Sequence, residues 1–126
     1  VVGAYTASAM SVFFAAFGLY PTSPVSAVPT GVVPFVLYFL SSAVLPAIVE
    51  ELVFRGAIQQ LAQPLGRWQA AALQAVLFAV QHGGVAGIAY ALVLGVLLGT
   101  IRQRTGRVWP GWVLHTVNNL LVFAAG

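Results

Sequence analysis

The two acidic residues of this 126-residue chain, Glu50 and Glu51, are adjacent, and both lie inside a long apolar run. The sequence contains no other aspartate or glutamate. A carboxylate at the centre of a membrane helix costs about 2.5–3.5 kcal/mol on insertion scales. A pair of acids inside an apolar run does not serve to make the chain soluble. The pair therefore predicts a buried polar site around which the rest of the chain is arranged.

The composition places the chain in a membrane. Hydrophobic residues make up 60% of the sequence and charged residues 6%, whereas soluble domains contain about a quarter charged residues. We expect an all-α integral membrane protein forming a single domain over residues 1–126. The absence of cysteine excludes disulfide and thiol chemistry. The net charge of +3 comes from scattered arginines, so we expect no nucleic-acid partner.

Apolar segments of membrane-spanning length predict a bundle of about five transmembrane helices. Val1–Tyr20 has no charged residue before it, and we expect a first span there and not a signal peptide. Pro21, Pro24 and Pro29 form a connector. Pro46 is expected to kink or break the second helix just before the glutamates. The predicted spans are 1–20, 32–63, 68–82, 85–101 and 109–125.

Four of the five arginines lie in two short gaps between apolar runs. Tryptophans flank these gaps, and indole rings favour the membrane interface. Both gaps are therefore expected on one membrane face, which the positive-inside tendency makes cytoplasmic. We expect the plasma membrane of a bacterium or archaeon and contact with lipid headgroups. The arginines are Arg67, Arg102, Arg104 and Arg107, and the tryptophans are Trp68, Trp109 and Trp112.

Small residues recur at every fourth position of the segment between the two gaps. Such a stripe lets another helix approach closely in a membrane, and it offers no reactive group. We therefore predict that it serves helix packing. Its members are Gly83, Gly87, Ala91, Gly95 and Gly99.

The polar residues of three different helices are expected at a similar depth. Counted from the arginine face at 1.5 Å per residue, Glu50 lies about 20 Å deep and His82 about 21 Å. Asn119 lies about 15 Å deep and His115 about 9 Å. Because polar groups at lipid depth turn toward the bundle interior and pair with one another, we predict that they form one cluster.

Spacing within each helix suggests a division of roles. Four-residue spacing places two side chains on one helix face, so Glu51 is expected to pair with Arg55. Glu50 points about 100° away and is expected to be the reactive carboxyl. Phe78 is expected to pack on His82, and His115 and Asn119 to present two hydrogen-bonding groups to one point. The candidate catalytic residues are Glu50, Glu51, Arg55, His82, His115 and Asn119.

Three motifs in chain order resemble the CPBP family of intramembrane proteases, which includes CAAX prenyl endopeptidases and bacteriocin-processing or Abi proteins. The motifs are Glu50-Glu51-x-x-x-Arg55, Phe78-x-x-x-His82 and His115-x-x-x-Asn119. The resemblance implies a catalytic core over residues 32–126 and cleavage of a peptide bond in or near the membrane. It also implies that Glu50 activates water, that His82 holds it, and that His115 and Asn119 stabilise the oxyanion.

The resemblance leaves the metal requirement open, because the family has been described both as metalloproteases and as metal-independent glutamate proteases. A zinc ion would use Glu50, His82 and His115. Asn119 favours the glutamate mechanism, since an amide is a poor zinc ligand and a good oxyanion donor. The expected substrate is a peptide or protein, with a lipidated or apolar C-terminal tail as one possibility.

Two other classes of function stay open from the sequence. One is a catalytically silent membrane scaffold or bacteriocin-immunity protein that keeps the fold and the site. The other is a proton or ion relay, because chains of glutamate and histidine also move protons. A relay requires polar groups over the full membrane depth, whereas Val1–Tyr20 and Val85–Thr100 are nearly free of them.

Overall fold

A computed structural model describes residues 30–125, with side chains up to Val122. The predicted first span and the proline-containing connector lie outside the described residues. Between residues 30 and 125 all regular structure is helical. A short 3₁₀ turn, Gln63–Leu65, follows the first helix. The four helices are α1 (Val32–Leu61), α2 (Arg67–Val80), α3 (Gly84–Thr105) and α4 (Trp109–Ala125).

Helix α1 continues through Pro46 and widens into two π-helical segments, one on each side of the glutamates. These segments are Leu40–Val44 and Leu52–Ile58, and the α-helical stretch Leu45–Glu51 lies between them. Proline has no N–H to give to the preceding turn, and a wider turn precedes it here. The helix is therefore irregular near Pro46 without being broken, and the kink stays a prediction. π-helical bulges change which side chains face the bundle and often occur at functional sites.

The two arginine-containing gaps lie at the same end of the bundle. Arg67 Nη2 donates to Gln103 O at 3.4 Å, and Gln103 Nε2 donates to Arg67 O at 2.6 Å. Arg102 Nε reaches back to Arg55 O at 3.3 Å. The guanidinium of Arg67 also lies 5.0 Å from the half-exposed ring of Trp68. The membrane face to which this end belongs stays a prediction.

The small-residue stripe of α3 packs closely against α2, as predicted for a packing surface. A Cβ added at Gly95 would lie 3.0 Å from the Cα of Ala75. Two buried glutamines bond to backbone carbonyls on this face. Gln74 Nε2 donates to Gly95 O at 2.8 Å, and Gln59 Nε2 donates to Gly99 O at 2.9 Å. These bonds join α1, α2 and α3 across a close interface.

Many apolar side chains face outward and the three charged side chains of α1 face inward, which is the arrangement of a membrane protein. Val33 and Val85 are largely exposed, whereas Glu51 and Arg55 are fully buried. In residues 30–125, α1 and α3 are long and apolar enough to cross a membrane. Helix α2 has 14 residues, fewer than the roughly 20 of a straight crossing. The predicted total of about five spans remains a prediction.

Candidate functional site

Glu51 is held from two sides by buried partners. Its Oε1 accepts a hydrogen bond from Arg55 Nη1 at 2.8 Å, which is the predicted pair on α1. The same oxygen contacts His115 Nδ1 on α4 at 2.9 Å. A carboxylate only accepts, so Nδ1 carries the hydrogen in this bond. Because all three side chains are at most 3% exposed, the position of Glu51 is tightly determined.

Glu50 lies on the other side of the same imidazole and is less constrained. His115 Nε2 is 3.5 Å from Glu50 Oε2, which is longer than a good hydrogen bond. The Glu50 side chain is 11% exposed, against 1% for Glu51. His115 therefore stands between two adjacent carboxylates, fixed by one and facing the other. The partial exposure of Glu50 lets this carboxylate receive a proton from another molecule.

The ring of Phe78 links the rest of the site. It is fully buried on α2, and it packs edge-on against His82 and His115, with centroid distances of 4.8 and 5.7 Å. The guanidinium carbon of Arg55 lies 4.4 Å from the ring centroid. Such contacts combine cation–π attraction with steric positioning. Phe78 therefore fixes three polar side chains from three different segments.

His82 joins the cluster through Phe78 and not through a carboxylate. It lies in the turn between α2 and α3, is half-buried, and its Nδ1 is 2.8 Å from Phe78 O. Because a carbonyl oxygen can only accept, Nδ1 donates in this bond. In the neutral ring Nε2 is then an acceptor. This places an imidazole beside the cluster with one nitrogen occupied and one available.

Asn119 bonds to the backbone of α1 through one of its amide N–H groups. Its Nδ2 donates to Ala43 O at 3.2 Å, within the π-helical segment that precedes Pro46. An amide nitrogen has two N–H donors, so a second one is available beyond this bond. The neighbouring Asn118 faces α3 instead, where it accepts a hydrogen bond from the hydroxyl of Tyr90.

One face of α4 lies against the carboxylate region of α1. Gly111, His115 and Asn119 follow one another at four-residue spacing, and all three are buried. A Cβ at Gly111 would lie 2.5 Å from Glu51 Oε2. Asn119, two turns further along α4, meets Ala43, which is two turns before Glu51. The two helices are therefore antiparallel and in register here. The sequence reasoning missed Gly111, although its four-residue distance from His115 was a readable signal.

The zinc set of Glu50, His82 and His115 stays a prediction. Among the residues that the structure describes, no three histidine, aspartate or glutamate side chains are grouped closely enough to hold a metal ion. Glu50 and His115 face each other, and His82 bonds to Phe78 O through Nδ1, which leaves its Nε2 free to accept a hydrogen bond or to bind a metal.

Comparison with known proteins identifies one family. The family model described as Type II CAAX prenyl endopeptidase Rce1-like matches residues 32–121. This range includes every site residue described above. No curated protein and no solved structure matches the chain. Neither a silent scaffold nor a proton relay gains support from the described structure or from these comparisons.

Proposed function

The chain belongs to the Type II CAAX prenyl endopeptidase Rce1-like family, and from this membership we propose an intramembrane endopeptidase in which Glu50 activates the attacking water. The family match covers more than half of the chain. It is a peptidase family, which implies a peptide or prenylated protein substrate in the membrane. The observation that carries the proposed mechanism is the position of His115 between Glu50 and Glu51.

Glu50 is proposed as the general base because it is the less constrained carboxylate. Glu51 is held by Arg55 and His115 through one oxygen, and protonating its other oxygen would remove the negative charge that strengthens both bonds. Glu50 has only the looser contact to His115 Nε2 at 3.5 Å. A positioned base typically contributes a factor of about 10²–10⁴ in rate. Glu51 and Arg55 then act indirectly, by fixing the imidazole that faces Glu50.

In the proposed reaction, water attacks the carbonyl carbon of the scissile peptide bond. A carbon–oxygen bond forms and one proton of the water passes to Glu50. The carbonyl π electrons move to its oxygen and give a tetrahedral oxyanion. When the carbon–nitrogen bond breaks, Glu50 returns the proton to the leaving nitrogen. The products are a new carboxyl terminus and a free amine, and Glu50 ends as it began.

Three further side chains are proposed to support these steps. His82 accepts a hydrogen bond from the attacking water through Nε2, because Nδ1 is bonded to Phe78 O. His115, when protonated at Nε2, and Asn119, through its second amide N–H, stabilise the oxyanion. Loss of one oxyanion donor typically costs a factor of about 10²–10³ in kcat. The substrate class proposed is a peptide with a lipidated or apolar C-terminal tail, which suits the apolar exterior of the bundle.

Peptide cleavage by the purified full chain tests this proposal. The protein in detergent micelles, and again in liposomes, is incubated with a quenched fluorescent peptide that carries a prenylated or apolar tail. Glu50→Gln keeps the size of the side chain and removes the proton acceptor, so kcat should fall by about 10²–10⁴-fold. Asn118→Ala, a polar change at a side chain that faces α3, should leave cleavage within a few-fold of wild type. Equal cleavage by Glu50→Gln and wild type would end the assignment.

A chelator series in the same assay tests the metal requirement. Metal-independent chemistry predicts that extended dialysis against a strong chelator leaves the rate unchanged and that added Zn²⁺ does not raise it. Loss of activity on chelation, with recovery on adding Zn²⁺, would instead support the zinc set of Glu50, His82 and His115. Absence of cleavage of any peptide by the wild-type chain would favour a non-catalytic member of the family.

A further inference from the structure

We propose that Gly111 is a positioning residue of the site, because its lack of a side chain lets α4 hold His115 against both carboxylates. It is buried on the face of α4 that contacts α1. A Cβ built on it would lie 2.5 Å from Glu51 Oε2, 3.3 Å from Cδ and 3.8 Å from Cγ. The whole end of the Glu51 side chain therefore lies over the α-carbon of this glycine.

Glu51 is held in place by its own hydrogen bonds. Its other oxygen is bonded to Arg55 and His115, at 2.8 and 2.9 Å, and the residue is fully buried. A clash at the tip of a flexible surface side chain is relieved by rotation. Here rotation would break two hydrogen bonds in the bundle interior, so a methyl group at position 111 must displace either the carboxylate or α4 itself.

The displacement would act directly on His115 and on its contact with Glu50. Gly111 and His115 are one turn apart on the same face of α4, and His115 is the residue that touches both Glu51 and Glu50. Ordinary contact distances begin near 3.4 Å, so the methyl carbon and Oε2 must separate by about 1 Å. A misplacement of about 1 Å in an active site can cost about 10²-fold in rate. This expectation for activity rests on the proposed function.

The kinetic test compares two glycine-to-alanine variants. Gly111→Ala should lower kcat for the quenched peptide by about 10²-fold and leave KM within a few-fold, because the change moves reacting groups and not a substrate-binding surface. Gly56→Ala is the matched control. A Cβ at Gly56 would be 3.7 Å from Glu51 O and 4.0 Å from Val108 Cγ2, which is ordinary contact, so both parameters should remain at wild-type values.

A spectroscopic test measures the same displacement without any substrate. In protein labelled with ¹⁵N only in histidine, the Nδ1–H proton of His115 bonded to Glu51 should give a downfield signal. The chain has two histidines, so a His82→Gln variant assigns it. Gly111→Ala should shift or broaden this signal, and Gly56→Ala should leave it unchanged. This result stands even if no peptide is cleaved, and so it separates failure of this inference from failure of the proposed function.

A second change tests whether Gly111 acts through Glu51. Glu51→Asp removes one methylene and withdraws the carboxylate from position 111 by about 1.5 Å. Gly111→Ala should therefore have a smaller effect on the His115 signal and on folding in the Glu51→Asp protein than in the wild-type protein. Folding of the double variant where Gly111→Ala alone fails to fold would also support the inference. The positioning role of Gly111 would be overturned by any of three results. These are an unchanged His115 signal in folded Gly111→Ala, an equal effect of Gly111→Ala in the wild-type and Glu51→Asp proteins, and failure of both the single and the double variant to fold.

Discussion

The buried Arg55–Glu51 pair gives the sharpest test of the interior described here. Arg55→Met keeps most of the side-chain volume and removes the charge. Glu51 would then be a buried carboxylate with His115 as its single partner at Oε1. Both members of the pair are at most 1% exposed, so neither solvent nor salt compensates for the loss. Breaking such a pair from one side typically costs about 3–5 kcal/mol, or roughly 10²–10⁴-fold in the ratio of folded to unfolded protein.

The cost should depend on the uncompensated charge and not on the loss of Arg55 as such. The double variant Arg55→Met/Glu51→Gln replaces both charges with neutral groups of similar volume, and such replacements are often close to neutral for stability. It should therefore recover most of the loss. Arg104→Met, at an exposed position near the end of α3, is the matched control and should show no measurable change.

Unfolding by sodium dodecyl sulfate in mixed micelles, followed by tryptophan fluorescence, measures these differences under one condition for five proteins: wild type, Arg55→Met, Glu51→Gln, the double variant and Arg104→Met. If Arg55→Met unfolds at the same detergent fraction as Arg104→Met, the buried ion pair does not stabilise the protein. If the losses of stability from Arg55→Met and Glu51→Gln simply add in the double variant, the two side chains do not interact.

Three further outcomes are expected. Asn119→Ala should lower kcat for the quenched peptide by about 10²–10³-fold. The control is Asn118→Ala, and equal rates for the two variants would exclude Asn119 as an oxyanion donor. Gly95→Ala should destabilise the bundle by about 1–3 kcal/mol in the detergent assay, because its Cβ would press on helix α2. Gly56→Ala should not destabilise it, and equal stabilities of the two variants would contradict the packing role of the small-residue stripe. Phe78→Leu should lower cleavage and broaden the ring signals of both histidines in ¹⁵N spectra, and an unchanged spectrum would show that the aromatic ring does not fix them.

The class of the protein and its important polar residues can be read from composition and residue spacing alone. The chain is 60% hydrophobic and 6% charged, whereas soluble domains contain about a quarter charged residues. Two adjacent acids in an apolar run must find partners in the bundle interior. Helical periodicity was sufficient to pair Glu51 with Arg55 and Phe78 with His82, because both relations are local and depend only on a four-residue spacing.

The way in which the helices meet, in contrast, can be seen only in the folded bundle. Spacing within α4 could not show that His115 would lie between the carboxylates, or that Asn119 would bond to Ala43 O. These contacts depend on the register of α4 against α1, which π-helical turns on both sides of the glutamates alter. Register between helices is set by the close approach of small residues such as Gly111. It is a property of two surfaces together, and neither segment encodes it alone.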